Sequence, residues 1–292
     1  MRALLCWILM GLGVAPGAMA QALRQGPMPT AAEAVGSLVG LTAVQRAAFE
    51  ADPALFEPIR KPAPGDWLAA HPEPGQTVEE YRALLPQVKP RPIQKALAIL
   101  PLGAFAEKAP DLETLRAYCA AFFAMETRLL PGVALEQVPA KSRINAASGK
   151  RQLLTTDILK WLPGVKPAEC YALIAVTMED LYPDESWNFV FGQALLRGGA
   201  GVFSFARYDP AFQGEAEQGD AAALMLRRSG KVLTHEMAHM FGLRHCVFYV
   251  CLMNGSNHLA ETDSRPMHLC PVCLRKLHLG AGFGLLSREM GL

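Results

Sequence analysis

Excess charge of either sign is missing from this sequence. Across 292 residues, 28 lysines and arginines face 27 aspartates and glutamates, a formal net charge of +1. A nucleic-acid binder of this size carries a basic excess, so that class is set aside. Disorder of the bulk is excluded as well, because it needs low hydrophobicity and high net charge, whereas hydrophobic residues make up 51% here. Cysteine is scarce: seven residues are too few for a disulfide scaffold in so long a chain. Past the first twenty residues no apolar run is long enough to span a membrane. Internal repeats and low-complexity tracts are also absent. What is present is local. Many of the 22 prolines fall before residue 110, and four of the cysteines crowd between Cys246 and Cys273.

Residues 1–20 read MRALLCWILMGLGVAPGAMA. Arg2 supplies a short positive region, Ala3 to Pro16 is apolar, and Ala18-Met19-Ala20 is an A-x-A cleavage site before Gln21. These are the three parts of a secretory signal peptide. An uncleaved anchor is the alternative, but the run is short and is interrupted by Gly11, Gly13 and Pro16. Cys6 lies too near the start for a lipoprotein acceptor. The mature protein is expected to be exported, periplasmic or secreted, with no membrane attachment.

Residues 21–92 read as a proline-rich helical lead-in, and residues 93–292 as the main domain. Short helices are expected around Ala31–Leu38 and Ala43–Ala51. Thr77 and Glu80 form a capping box opening a helix that stops at Pro86. Further on, Ala96–Leu100, closed by Pro101, has the compact apolar character of a buried strand, as does Tyr171–Thr177. Val133–Val138, Asn188–Gly192 and Val202–Ala206 are further expected strands. Helices are expected at Leu112–Met125 after Asp111, at Thr156–Leu162 with Thr155 or Thr156 as cap, and from Ala221 to Phe241. Ser229-Gly230 is a possible break in the last. Strands alternating with helices predict an α+β class: a mixed, α/β-like sheet with flanking helices.

Residues 235–245, HEMAHMFGLRH, carry the chemistry. Four residues apart, His235 and His239 share one helix face and can point their nitrogens at one zinc ion. Glu236 lies about a hundred degrees round the helix. From there it reaches a zinc-bound water without ligating the metal, as a general base must. Gly242 accepts the left-handed backbone of a sharp reversal, which lets His245 come back as a third ligand. Three neutral ligands leave a fourth position open, the mark of a catalytic zinc. In Cys251-Leu252-Met253-Asn254-Gly255, the Asn-Gly pair signals a tight turn. It would set the Met253 thioether beneath the zinc as a packing floor. Arg207 is read either as a substrate contact or as a structurally paired cation.

Cys246, Cys251, Cys270 and Cys273 form two pairs about twenty residues apart, a spacing that fits a structural four-thiolate zinc. Two alternatives stay open. Disulfides suit an exported protein, and Cys270-Pro-Val-Cys273 could be a redox pair. Cys119 and Cys170 read as buried apolar residues.

The string HEMAHMFGLRHC, then C-x-M, then CPVC resembles the archaemetzincins, a metzincin branch of the zinc peptidases. Pro101-Leu102-Gly103, Leu153 to Leu159, Asn188 to Gly192, Phe203 to Arg207 and Cys273 to Leu277 look like that family too. The likeness runs from about Leu55 to Leu277. It implies a zincin-like, metzincin-like catalytic domain with an active-site helix and a Met-turn. It also implies His235, His239 and His245 on a catalytic zinc, Glu236 as general base and acid, Met253 in the Met-turn, and the four cysteines on a second, structural zinc. The expected activity is zinc-dependent hydrolysis of peptide or protein substrates, with two Zn2+ per chain. An inactive, zinc-stabilised peptide-binding protein is the alternative. The signal peptide departs from the intracellular setting expected of many such relatives, and in an oxidising compartment early metal capture would have to protect the thiols.

Overall fold

The computed structural model describes residues 9–10, 28–50, 52, 54–105, 109–195, 199–214 and 219–289. The expected signal peptide lies outside the described residues except for Leu9 and Met10. Among the described residues no helix is long and apolar enough to cross a membrane. The chain forms two compact units, Met1–Gly11 with Pro90–Met240, and Leu12–Lys89 with Phe241–Leu292.

The first unit is built on two sheets. Its strands are β1 (Leu9–Met10), β2 (Ala96–Leu102), β3 (Glu126–Leu129), β4 (Ser142–Ile144), β5 (Arg151–Leu154), β6 (Cys170–Thr177), β7 (Asp180–Tyr182), β8 (Gly192–Leu195) and β9 (Ala200–Ser204). The larger sheet has the order β1-β8-β9-β6-β2-β3, and the smaller β4-β5-β7. In the larger sheet only the β8–β9 pair is antiparallel. The two central strands, ALAILPL and CYALIAVT, are buried at every position, as parallel strands covered on both faces must be. One face presents Ala98, Leu100, Leu173 and Ala175 to Ile158, Leu159 and Leu162 of the helix Thr155–Val165. Helices Leu112–Phe123 and Ala221–Met240 complete the layers. The mixed sheet with flanking helices is therefore as the sequence predicts.

Several local expectations give way to tertiary context. β2 continues through Pro101 to Leu102. The missing N–H falls on the side where β3 has already ended, and the Pro101 carbonyl accepts from the Val133 amide at 2.9 Å. Val133–Val138 is not a strand: Val133 makes a single bridge to Leu102, and Leu135–Gln137 is a 3₁₀ turn. The strand there is Glu126–Leu129, whose polar sequence ETRL gives no apolar run to detect. Asn188–Gly192 contributes only a bridge at Val190, and pairing begins at Gly192, which sits opposite Phe203. A Cβ on Gly192 would lie 2.0 Å from the Phe203 ring. The expected strand Val202–Ala206 runs instead over Ala200–Ser204, as β9, paired on both sides. Thr155 does not cap its helix; its hydroxyl donates to the Tyr182 carbonyl instead. Asp111 does cap the helix it precedes, accepting from the Thr114 amide at 2.8 Å. Ser229 and Gly230 leave the long helix unbroken to Met240.

The second unit joins two distant stretches. Thr30, Thr42 and Thr77 each close a capping box over the helices Ala31–Val35, Ala43–Phe49 and Val78–Val88. The last of these carries Pro86 inside it and ends two residues later than expected. These helices are tied to Pro271–Ala281 and to Phe241 by specific bonds. The Tyr81 hydroxyl donates to the Phe241 carbonyl at 2.7 Å, and Arg275 donates to the Val35 carbonyl at 2.6 Å. Gly280 allows the first approach, since a Cβ there would sit 2.1 Å from the Tyr81 oxygen. A short antiparallel contact adds Ile59 to Phe248 at 3.1 Å and Val250 to Glu57 at 2.8 Å.

Candidate metal centres

The expected metal ligands fall into two groups among the described residues: the histidines of the motif, taken unit by unit below, and the four clustered cysteines. In the first unit, the long helix places His235 and His239 one turn apart with their Nε2 atoms 3.0 Å from each other. Two nitrogens about 2.1 Å from one zinc at the tetrahedral angle stand about 3.4 Å apart, so the pair is within a few tenths of an ångström of ligation geometry. Both rings are buried. Glu236 is buried as well, with Oε1 3.9 Å from His235 Nε2. The helix end is held by the Tyr171 hydroxyl, which donates to the Met240 carbonyl at 2.8 Å. Burial pushes the Tyr171 phenol well above its ordinary pKa and keeps it a donor.

In the second unit the chain reverses at Gly242, whose φ is +85°. A Cβ there would press to 2.9 Å from Val88 Cγ1. Gln76 holds the reversal from both sides, donating to the Gly242 carbonyl and accepting from the Arg244 amide, each at 3.1 Å. Lys276, fully buried, donates to the Gln76 side chain at 3.1 Å and to its carbonyl at 3.3 Å. His245 follows. Its Nδ1 lies 2.8 Å from Glu73 Oε1, and its ring meets Trp67 edge-on at 5.2 Å.

The sulfurs of Cys246, Cys251, Cys270 and Cys273 lie within 4.8 Å of one another, all four buried and none in a disulfide. Cys246 and Cys270 are 3.6 Å apart. Four sulfurs about 2.3 Å from one zinc stand about 3.8 Å apart, whereas a disulfide needs about 2.05 Å. The donor set fits zinc. Amides of Met253 and Cys270 point at Cys251 Sγ, at 3.4 and 3.2 Å. The Cys246 thiol is held well below its ordinary pKa, first by Cys251, then by Cys270 and Cys273, with Lys276 adding its charge. Burial pushes the Cys251 and Cys270 thiols up. Met253 is fully buried, and its carbonyl accepts from the Cys246 amide at 2.8 Å. Asn254 closes the loop, accepting from Cys251 at 2.7 Å and donating to Cys246 and Tyr249 at 2.8 and 2.9 Å.

A family model described as peptidase family M54 matches residues 130–279. Human archaemetzincin-2 is 37% identical over 272 residues, covering 84% of this chain and 76% of that protein. The chain belongs to peptidase family M54. It is a zinc metallopeptidase by that membership. Human archaemetzincin-1 is 33% identical over 251 residues, covering 76% of this chain and 50% of that protein. Among solved structures, archaemetzincin from Methanopyrus kandleri has 28% identity and a TM-score of 0.49, covering 66% of this chain and 99% of its own.

In this peptidase the local motif residues announce themselves in the sequence, while their partners do not. Glu73, Trp67, Gln76 and Lys276 are absent from any reading of the motif. Glu73 and Trp67 lie in the expected lead-in, outside the matched residues 130–279. The only local hint is Pro72-Glu73-Pro74, an acid held stiff between two prolines. Arg207 is resolved as a structural cation. It is buried and forms a two-pronged pair with Asp180 at 2.8 and 2.7 Å. Cys119 and Cys170 are buried apolar residues as expected. A third cluster, Asp66, His258 and Glu261, is accounted for by backbone ties, Glu261 accepting from Trp67 and Asn257 and His258 capping its helix.

Proposed function

We propose that His235, His239 and His245 hold the zinc at which peptide bonds are cleaved, and that Glu236 is the general base and acid. The observation that carries this is the facing pair of Nε2 atoms at 3.0 Å with Glu236 buried on the same helix, in a chain of the M54 family. Zinc, when bound, supplies Lewis acidity, polarising the scissile carbonyl and lowering the pKa of a water towards about 7. The Glu236 carboxylate takes the proton of the attacking water and returns it to the leaving amine nitrogen. Burial beside His235 excludes bulk water that would compete for that carboxylate. Met253, fully buried in its turn, is read as the Met-turn residue, whose thioether would serve the zinc as an apolar floor and not as a ligand. Cys246, Cys251, Cys270 and Cys273 hold a second, structural zinc, giving two ions per chain. Support for that assignment is the 3.6 Å separation of Cys246 and Cys270 and the amides aimed at Cys251.

The substrates are peptides or proteins. The protein is exported after cleavage between Ala20 and Gln21, a reading supported by the three-part signal sequence. Sequencing the N-terminus of the exported protein tests it, with Gln21 expected first.

The deciding experiment is zinc content and peptide hydrolysis in wild type, in Glu236→Gln and in His235→Ala/His239→Ala. Two zincs with activity, two without activity in Glu236→Gln, and one in the double variant are expected. Activity retained by Glu236→Gln overturns the assigned base. Wild-type protein that takes up no zinc when supplied with it overturns the metal assignment.

A further inference from the structure

We propose that Glu73 is a positioning residue for the third zinc ligand, setting the tautomer and direction of the His245 ring. The inference rests on the reading of His245 as a ligand and concerns a residue outside the motif. Nδ1 of His245 lies 2.8 Å from Glu73 Oε1. An ionised carboxylate only accepts, so Nδ1 must carry the proton. That leaves Nε2 as the lone-pair nitrogen, the one a metal needs.

The carboxylate is itself held. Its Oε1 also accepts from the Trp67 indole N–H at 2.6 Å. Trp67 is fixed in turn: its backbone amide donates to both oxygens of Glu261, at 3.0 and 3.2 Å. Its ring lies on Gly255, where a Cβ would come within 2.2 Å of the indole. The same ring meets His245 nearly perpendicular, at 80°. Pro72 and Pro74 restrict the backbone on either side of Glu73. The His245 imidazole is thus gripped on one nitrogen and one face by two side chains 172 and 178 residues earlier in the chain, the first distance being that of the hydrogen-bonded pair. A solvated, incidental ion pair has no such backing. His245 is 4% exposed and the Glu73 side chain 22%. The stretch before residue 90 therefore contributes a group that works on the metal ligand.

The test is zinc affinity of the full mature chain, by competition with a chromophoric chelator, together with the visible spectrum of the Co2+-substituted protein. Carboxylate partners of metal-bound histidines are worth about 10- to 100-fold in affinity. Glu73→Ala is expected to weaken the histidine-site zinc by that factor and leave the cysteine-site zinc in place. Glu73→Gln, which keeps shape and a neutral acceptor, is expected to fall between and to shift the Co2+ bands. Trp67→Phe removes the indole donor and is expected to change affinity far less than Glu73→Ala. If Glu73→Ala does not fold, Glu73→Gln carries the test. Unchanged affinity and unchanged Co2+ bands in Glu73→Gln and Glu73→Ala overturn the proposal when His245→Ala still loses the metal. If His245→Ala itself keeps wild-type affinity, the reading of the third ligand fails instead.

Discussion

Replacing Arg207 by Met should be among the costliest single changes in the first unit. Both partners of the pair are out of solvent, with side-chain exposures of 5% for Arg207 and 0% for Asp180. The guanidinium donates two bonds to one carboxylate and lies 3.4 Å above the Phe189 ring. Asp180 has a further donor in Gln152, at 2.8 Å. Arg207→Met leaves that carboxylate buried with the neutral amide in place of a cation. Breaking a buried pair on one side costs about 3–5 kcal/mol, a large share of the 5–15 kcal/mol that typically holds a domain together. Removing both charges, in Arg207→Met/Asp180→Leu, spares the orphaned charge and costs chiefly one bond of the Gln152 amide, which still donates to the Asn188 carbonyl at 2.8 Å, at most about 1–3 kcal/mol. The double variant should therefore be more stable than Arg207→Met alone. Urea unfolding at fixed excess zinc reads all the terms of this cycle. Peptide hydrolysis measured on folded protein should stay near wild type in each. An unchanged unfolding midpoint in Arg207→Met, with a raised KM, would refute the reasoning and return Arg207 to the substrate.

Further outcomes follow from the second unit. Gly242→Ala forces a Cβ onto a backbone at φ +85° and against Val88; left-handed backbone alone costs about 1–2 kcal/mol, and a fall in the thermal midpoint checks it. Thiol titration of the cleaved chain, which lacks Cys6, in denaturant with chelator should count six free cysteines, Cys119, Cys170 and the four clustered ones; a count of two would mean that the four had formed disulfides. Cys273→Ser should lose one zinc per chain by elemental analysis and keep the other. His278 is held below its usual pKa, chiefly by burial, between the rings of Phe49 and Phe283. Folding favours its neutral form, so its contribution is present above the unfolded value of about 6.5 and is lost as pH falls through the lowered one. In His278→Gln the urea midpoint should therefore fall less steeply below pH 6.5 than in wild type.

What could be seen in the sequence was whatever repeats at short range. The i, i+4 spacing of His235 and His239 places them on one helix face whatever surrounds it. The continuous apolar runs at Ala96 and Cys170 mark strands covered on both sides. Errors arose where neighbours overrule a local rule. Pro101 stays in a strand because its missing donor faces a side with no partner strand, and Pro86 stays in a helix packed against Pro271–Ala281. Glu126–Leu129 reads as a polar surface yet completes a sheet. The grip of Glu73 on His245 and the fork of Gln76 around Gly242 were illegible for a plainer reason. A contact across some 170 residues leaves no periodicity at either end.

The second unit is discontinuous, and this orders events in time. Residues 28–89 are synthesised first, carrying Glu73, Gln76 and Tyr81, yet Phe241, Gly242, Arg244 and His245, which these three hold, come 160 to 172 residues later. At about 5–20 residues per second, the remaining two hundred residues take on the order of ten to forty seconds to appear. Meeting at last means closing a loop of about 150 residues, an entropic cost that grows only logarithmically with length. Residues 90–240 have their own sheet and core and can be complete by then. The nascent chain therefore assembles the helix bearing Glu236 before it assembles the cradle of His245.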